Sequence, residues 1–324
     1  MRRSALLTQL LTFLMLAGVA GCEAPLELER VQAQLQQSTQ RSDLLQDVAA
    51  SGEALVAVGN MGTVLTSADR GQSWQRQTLE GKPFLMAVTT CPDDSFVALD
   101  YARKLWFSDT EGMRWESRPI DTVETVQAMA CDPAGKLWVV GSFSTILSSD
   151  DGGNTWSETS LNEDLLFTTI RFLDENTAYL LGEFGTVVRT TDGGATWENL
   201  EYLPDEFYPQ DAHFDNDQVG WVVGLTGTVL VTTDGGNSWR RQDSGTAAPL
   251  YGITRNGGKL YVVGGNGTVL QSSVQEGHSG DNRWTAVEHG KPIRFYLRGA
   301  VPVADGELLV GGGAGALYVI DTGA

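Results

Sequence analysis

The chain has 324 residues, 41% of them apolar and 19% charged, which suits a folded protein with a sizeable core and excludes a disordered or collagen-like chain. Asp and Glu number 41 against 22 Lys and Arg, a formal charge of −19, so nucleic acid is excluded as an expected partner and anionic lipid headgroups repel the body as a whole. With 38 Gly and 3 Cys, the fold is turn-rich and held by its core rather than by a disulfide framework.

Arg2 and Arg3 precede an apolar run, Leu6 to Val19, that is shorter than the ~20 residues a spanning helix needs. Residues 1–21 therefore read as an export signal. The run ends Val19-Ala20-Gly21-Cys22, which resembles a bacterial lipobox: small residues fit the signal-peptidase groove, and the Cys22 thiol is the nucleophile that takes up a diacylglycerol. Cys22 then begins the mature chain and tethers it to a membrane, since several acyl chains together anchor stably. The body is expected on the periplasmic face, at the outer membrane of a Gram-negative cell because Glu23 rather than Asp follows Cys22, or on the lumenal side of a thylakoid. An ordinary secretory signal with a chance Cys is the plainer alternative. Residues 22–42 read as anchor and tether, and part of Leu26 to Gln36 is expected to supply a closing strand, unless this Gln-rich stretch is a short helix or a flexible linker.

From residue 43 to the end the chain repeats. The stretch Gly59 to Trp74 recurs as Gly141 to Trp156, Gly182 to Trp197 and Gly224 to Trp239, with degraded copies ending at Trp115 and Trp284, a period of about 41 residues. In the first degraded copy Thr110 stands where the others have Asp; in the second, Gln275 to Asn282 lengthens the turn. A seventh copy starts at Gly312 and stops before its Trp. Within the fourth unit, β-branched and aromatic runs at Phe167 to Phe172, Ala178 to Gly182, Thr186 to Thr190 and Trp197 to Leu200 alternate with turn residues and predict four short strands. Four strands every ~40 residues mark a propeller blade. The predicted fold is all-β, a seven-bladed β-propeller over residues 43–324, with the ring closed by the N-terminal strand and the chain expected as a monomer. Closure matters because an open ring exposes two blade faces to water. Cys91 and Cys131 fall at similar places in neighbouring units, and a bridge or two buried thiols are equally open.

The octet Ser/Thr-x-Asp-x-Gly-x-Ser/Thr-Trp contains Asp69 and Trp74, Asp151 and Trp156, Asp192 and Trp197, and Asp234 and Trp239. It resembles the Asp-box of bacterial neuraminidase-repeat proteins. The carboxylate accepts hydrogen bonds within its own turn, Gly supplies positive φ, and the Trp ring packs onto the blade, so these are structural duties and no metal site is expected. The fuller units Ile170 to Trp197 and Ala212 to Trp239 resemble the repeat of the photosystem II assembly and stability factor family, a likeness that covers most of residues 43–321. The resemblance implies an exported, lipid-anchored, seven-bladed propeller without enzymatic activity or cofactor, which holds a membrane-protein subunit during complex assembly.

Members of that family dock partners on an Arg-rich patch, whereas this chain is acidic overall. Arg171, Arg255 and Arg298 fall in or at the end of predicted innermost strands, with His213 in a comparable place and Arg294 nearby. Converging on one rim, they form a positive ring for a carboxylate-bearing partner segment; the alternative pairs each with a carboxylate along the channel. Two other functions compete with the assembly scaffold: an envelope protein serving an exporter or surface complex in a non-photosynthetic bacterium, and a sialidase-like glycosidase. The last needs an Arg trio, a Tyr–Glu pair and an Asp, yet the Arg-Ile-Pro signature common in sialidases is missing and the unit count is seven.

Overall fold

The computed structural model describes residues 28–29, 36–273, 283–291 and 293–323. Seven antiparallel sheets follow one another along the chain, each with its strands in sequential order, six of them with four strands and the last with three among the described residues. Blade 4 comprises Phe167–Phe172, Ala178–Gly182, Val187–Thr190 and Glu198–Asn199, within one or two residues of the predicted strands.

The second strand of each blade explains the architecture. Leu55 to Val58, Tyr179 to Leu181, Trp221 to Val223 and Leu308 to Val310 are continuous apolar runs with every side chain at 0% exposure. A strand covered on both faces reads this way instead of alternating. The covering comes from the two adjacent blades: each of the seven apolar clusters joins residues of consecutive blades. Fourth strands such as Ser157–Ser160 and Glu198–Asn199 lie at the outer edge and are polar.

The closing strand expected within Leu26 to Gln36 falls almost wholly outside the described residues. Leu28 and Glu29, which are described, are helical, in keeping with side chains that carry no branch at Cβ and suit a helix better than a strand. Among the described residues the ring of blades is held shut by packing. Leu45, Val48, Leu55 and Leu65 of blade 1 form one cluster with Leu309 and Leu317 of blade 7. Leu44 bridges Gly313, and the Gly315 N–H donates to the Asp43 carbonyl at 2.9 Å. Asp43 is buried and receives both terminal nitrogens of Arg76, at 2.8 and 2.9 Å, which pins this first segment to blade 1.

The Asp-boxes connect third to fourth strands. Asp69 Oδ1 accepts from the Ser67 hydroxyl and the Ser73 N–H, and Oδ2 from the Ser73 hydroxyl at 2.6 Å; Asp151, Asp192 and Asp234 repeat the pattern. In the copy that has Thr110, the preceding residue substitutes: Asp109 accepts from the Met113 N–H at 2.8 Å and from Arg114 Nε. The box Gly has two reasons to be Gly. Gly194 has φ 82°, and a Cβ there would collide with the Trp138 ring of the preceding blade. The Trp rings close the same interfaces, Trp156 against blade 2 and Trp197 edge-on to Trp138 of blade 3.

Cys91 and Cys131 form a disulfide with Cα atoms 5.3 Å apart, joining the inner edges of blades 2 and 3 across 40 residues of sequence. Reduction, or Cys91→Ser with Cys131→Ser, is expected to cost about 2–4 kcal/mol in urea unfolding, the loop-closure value for such a span. The Asp-box hydrogen bonds hold Asp69, Asp151 and Asp192 down at about 2, led by the Ser73, Thr155 and Thr196 donors. Their folded values lie below the unfolded one, so their contribution is present above about pH 4 and lost as pH falls toward 2. Asp192→Asn is therefore expected to lower the melting temperature near neutrality and to leave it almost unchanged near pH 2.

Candidate functional site

The seven innermost strands, Leu45–Ser51, Leu85–Thr90, Val126–Cys131, Phe167–Phe172, Pro209–Phe214, Leu250–Asn256 and Leu297–Ala304, surround a central cavity of ≈ 730 Å³. Each breaks register near its start. A bulge leaves one residue unpaired and re-aims it, and here the unpaired residues Gln46, Met86, Gln127, Thr168, Gln210, Tyr251 and Arg298 all line the cavity.

An innermost strand is a sheet edge, and its free backbone groups need partners. Neighbouring blades supply them. Asp47 Oδ2 accepts the Val88 N–H of blade 2 at 3.0 Å, and Asp211 Oδ2 accepts the Ile253 N–H of blade 6 at 2.9 Å. Thr168 donates to the Pro209 carbonyl at 3.0 Å. Arg171 donates Nε to the Ala212 carbonyl at 3.0 Å and pairs with Asp211 through Nη2, so its charge and donors are spent on the wall between blades 4 and 5.

The five predicted cationic residues therefore separate into two groups. Arg171 and His213 lie three residues beyond the bulge positions, ~10 Å farther along the strand axis, and Arg255 lies farther still. His213 Nε2 is 3.0 Å from Asp215 Oδ1, and Arg255 Nη1 pairs with Asp215 Oδ2. Burial pushes Asp215 up, but these two partners more than offset it and hold the carboxyl below its ordinary value. Arg298 stands at the opposite mouth, exposed, with no hydrogen bond or ion pair among the described residues; Arg294, in the loop before it, is exposed and equally uncommitted. One converging rim does not form. Arg171 and Arg255 pair with carboxylates of the neighbouring blade, Asp211 and Asp215, while His213 meets Asp215 two residues along its own segment.

The mouth at Arg298 is aromatic. Tyr208 and Tyr251 line it, and Tyr251 meets Tyr296 edge-on with centroids 6.3 Å apart. Gln46 donates to the Tyr296 hydroxyl at 3.4 Å. Burial raises the Tyr208 and Tyr296 hydroxyls, opposed in both by the Arg298 charge, so both remain neutral donors at physiological pH. Arg298 with phenolic O–H groups beside it is a carboxylate-binding chemistry. Asp47, Asp211 and the three Tyr were not singled out from sequence; the one available signal was the recurrence of Gln46, Gln127 and Gln210 in alternate units, at twice the repeat spacing. Among the described residues no group of three His, Cys, Asp or Glu is placed to hold a metal ion. Cys22 lies outside the described residues, and no described helix is long and apolar enough to cross a membrane.

The family model described as "Photosynthesis system II assembly factor YCF48" matches residues 106–206 and 160–249. A curated relative, "Photosystem II assembly lipoprotein Ycf48" of Synechococcus sp. (strain RCC307), is 30% identical over 108 residues, 32% of this chain, and the match spans about a third, 33%, of that relative's length. The solved structure "YCF48 bound to D1 peptide" superposes with a TM-score of 0.71 at 15% identity, covering 89% of this chain and 94% of that one. A catalytically inactive virginiamycin B lyase from Staphylococcus aureus, solved with quinupristin, gives 0.73 at 13% identity over 87% of this chain and 96% of that one. At these identities both likenesses concern the propeller fold.

Burial in the channel wall pushes the Asp47 carboxyl up from 3.8 to about 6, against the Val88 and Val48 N–H donors and the Arg171 charge, with Asp211 adding to the rise. The folded value exceeds the unfolded one, so the folded protein takes up a proton as pH falls through about 6 to 4 and is stabilised in that window. The melting temperature is expected to rise between about pH 7 and pH 5, and Asp47→Ala is expected to abolish that rise.

Proposed function

We propose that this propeller is a non-enzymatic scaffold, lipid-anchored through Cys22, that holds a carboxylate-bearing segment of a membrane-protein subunit while a larger complex is assembled. The reading is carried by the Arg298 mouth: a guanidinium with no partner among the described residues, ringed by Tyr208, Tyr251 and Tyr296, in a channel whose other inward-facing cations are neutralised. Ionised groups joined to one another and to the wall are poorly placed for acid–base chemistry, which favours binding over turnover. The matched repeat and the assembly role named for its relatives supply the partner class, a membrane-protein segment of the kind the D1 peptide represents for the solved relative.

Arg171, His213 and Arg255 act in this reading by holding the wall of the channel, and Arg298 with Arg294 makes the contact. Pull-down from detergent-solubilised membranes of the source organism is expected to recover one specific membrane protein. Arg298→Glu with Arg294→Glu is expected to reduce that recovery about tenfold or more, the cost of placing a like charge opposite a bound carboxylate, without moving the melting temperature. Unchanged recovery would remove Arg298 from the contact.

A further inference from the structure

One sector of the face that carries the Arg298 mouth is apolar and cationic in an otherwise acidic molecule. Leu44, Met61, Phe84, Tyr101 and Phe295 are between 40% and 68% exposed. They belong to blades 7, 1 and 2, and backbone hydrogen bonds run through them in series. The Gly267 N–H donates to Phe295, the Gly313 N–H to Tyr296, and Leu44 bridges Gly313. The Asn60 N–H donates to the Leu44 carbonyl, the Gly62 N–H to Pro83, and the Tyr101 N–H to Phe84. The five side chains therefore rise from one connected set of turns.

Their setting is unlike the rest of the ring. Arg41, Lys82, Arg103 and Arg294 are exposed among them and outnumber the two exposed acids of the same loops, Glu80 and Glu288. On the same side of blades 3 to 5 the equivalent turns and loops carry Glu124, Glu163, Asp164, Glu183 and Asp205, so Phe143 and Phe184 there stand among acids.

The start of the described propeller lies in the same sector. The Ser38 carbonyl accepts from Arg76 at 3.1 Å, and Asp43 is joined to Gly315 of blade 7. Sixteen residues separate Ser38 from Cys22, a reach of at most ~55 Å. Exposed aromatic and aliphatic tips ringed by Arg and Lys match a bilayer interface, where rings sit at headgroup depth and cations meet lipid phosphate. We infer that this sector of blades 7, 1 and 2 is the surface by which the propeller rests on the lipid bilayer, with the Arg298 mouth turned toward the membrane that holds its partner. The inference rests on the reading of Cys22 as the anchor, which brings the sector to lipid; the acidic remainder of the body, repelled by anionic headgroups, favours the same orientation.

The test uses the chain from Glu23 onward, free of signal and acyl groups; all seven sheets and the interfaces between them lie within the compact unit Ser38–Ala324. Flotation is measured with vesicles of phosphatidylcholine alone and with phosphatidylglycerol added. Binding to both is expected, with Phe84→Ser plus Tyr101→Ser lowering the bound fraction about tenfold, Lys82→Glu plus Arg294→Glu removing the increment due to phosphatidylglycerol, and Phe143→Ser having no effect. Equal melting temperatures across these exposed positions show that the variants are folded. Absence of flotation with both vesicles, or flotation indifferent to Phe84 and Tyr101, overturns the inference. Vesicles hold no protein, so that result leaves the scaffold reading standing. If the Phe84 and Tyr101 changes instead reduce partner recovery without any vesicle binding, the sector is a protein contact and the lipid assignment fails.

Discussion

The structure depends on the burial of each second strand between two neighbours. No blade can cover its own two faces, so every sheet needs a sheet on either side, and the demand is met only when the last meets the first. Leu309 and Leu317 against Leu45 and Leu55 satisfy it at the seam. Register along every strand follows from the same condition, since a one-residue slip would turn interface side chains out of their clusters. The Asp-box Gly and Trp belong to this packing: Gly194 admits the Trp138 ring, and Trp197 closes over it.

Closing the ring creates a second constraint at its centre. Seven edge strands face one channel, and their unpaired backbone groups must be satisfied without an eighth sheet. Asp47, Thr168, Arg171 and Asp211 do this across blade boundaries. Their polarity serves the wall, which is why ionisable groups in the channel are a poor guide to catalysis here. The bulge at the start of each inner strand then sets what the mouth presents, and in blade 7 that residue is Arg298, which no carboxylate among the described residues neutralises.

Chain direction gives the two faces different contents. Inner strands start, and second strands end, on the side of Arg298, the three Tyr and the exposed apolar turns; the Asp-boxes and the acidic turns after the inner strands occupy the other. Blades 7, 1 and 2 differ from blades 3 to 5 on the first side because Arg41, Lys82, Arg103 and Arg294 outnumber the acids there, Glu80 and Glu288. A repeat that is nearly uniform in its interior is thus free to vary at its turns, where no interface constrains the side chain.

Much of the fold was legible in the sequence because a propeller writes its period into the chain: Trp74, Trp115, Trp156, Trp197, Trp239 and Trp284 recur once in each of the first six blades since each occupies the equivalent interface. Blade number and strand positions followed from that repetition, as did the structural nature of the Asp-boxes, whose bonds all lie within a few residues. The site was far less legible. Arg171 and Asp211 are 40 residues apart, as are Arg255 and Asp215, and nothing local distinguishes these neutralised guanidinium groups from Arg298, which is free among the described residues. The substitution of Asp109 for the missing box Asp at Thr110 needed the turn's geometry. Local hydrogen bonds and hydrophobic period are properties of the chain, whereas which charge meets which carboxylate is decided when blades distant in sequence become neighbours around the channel.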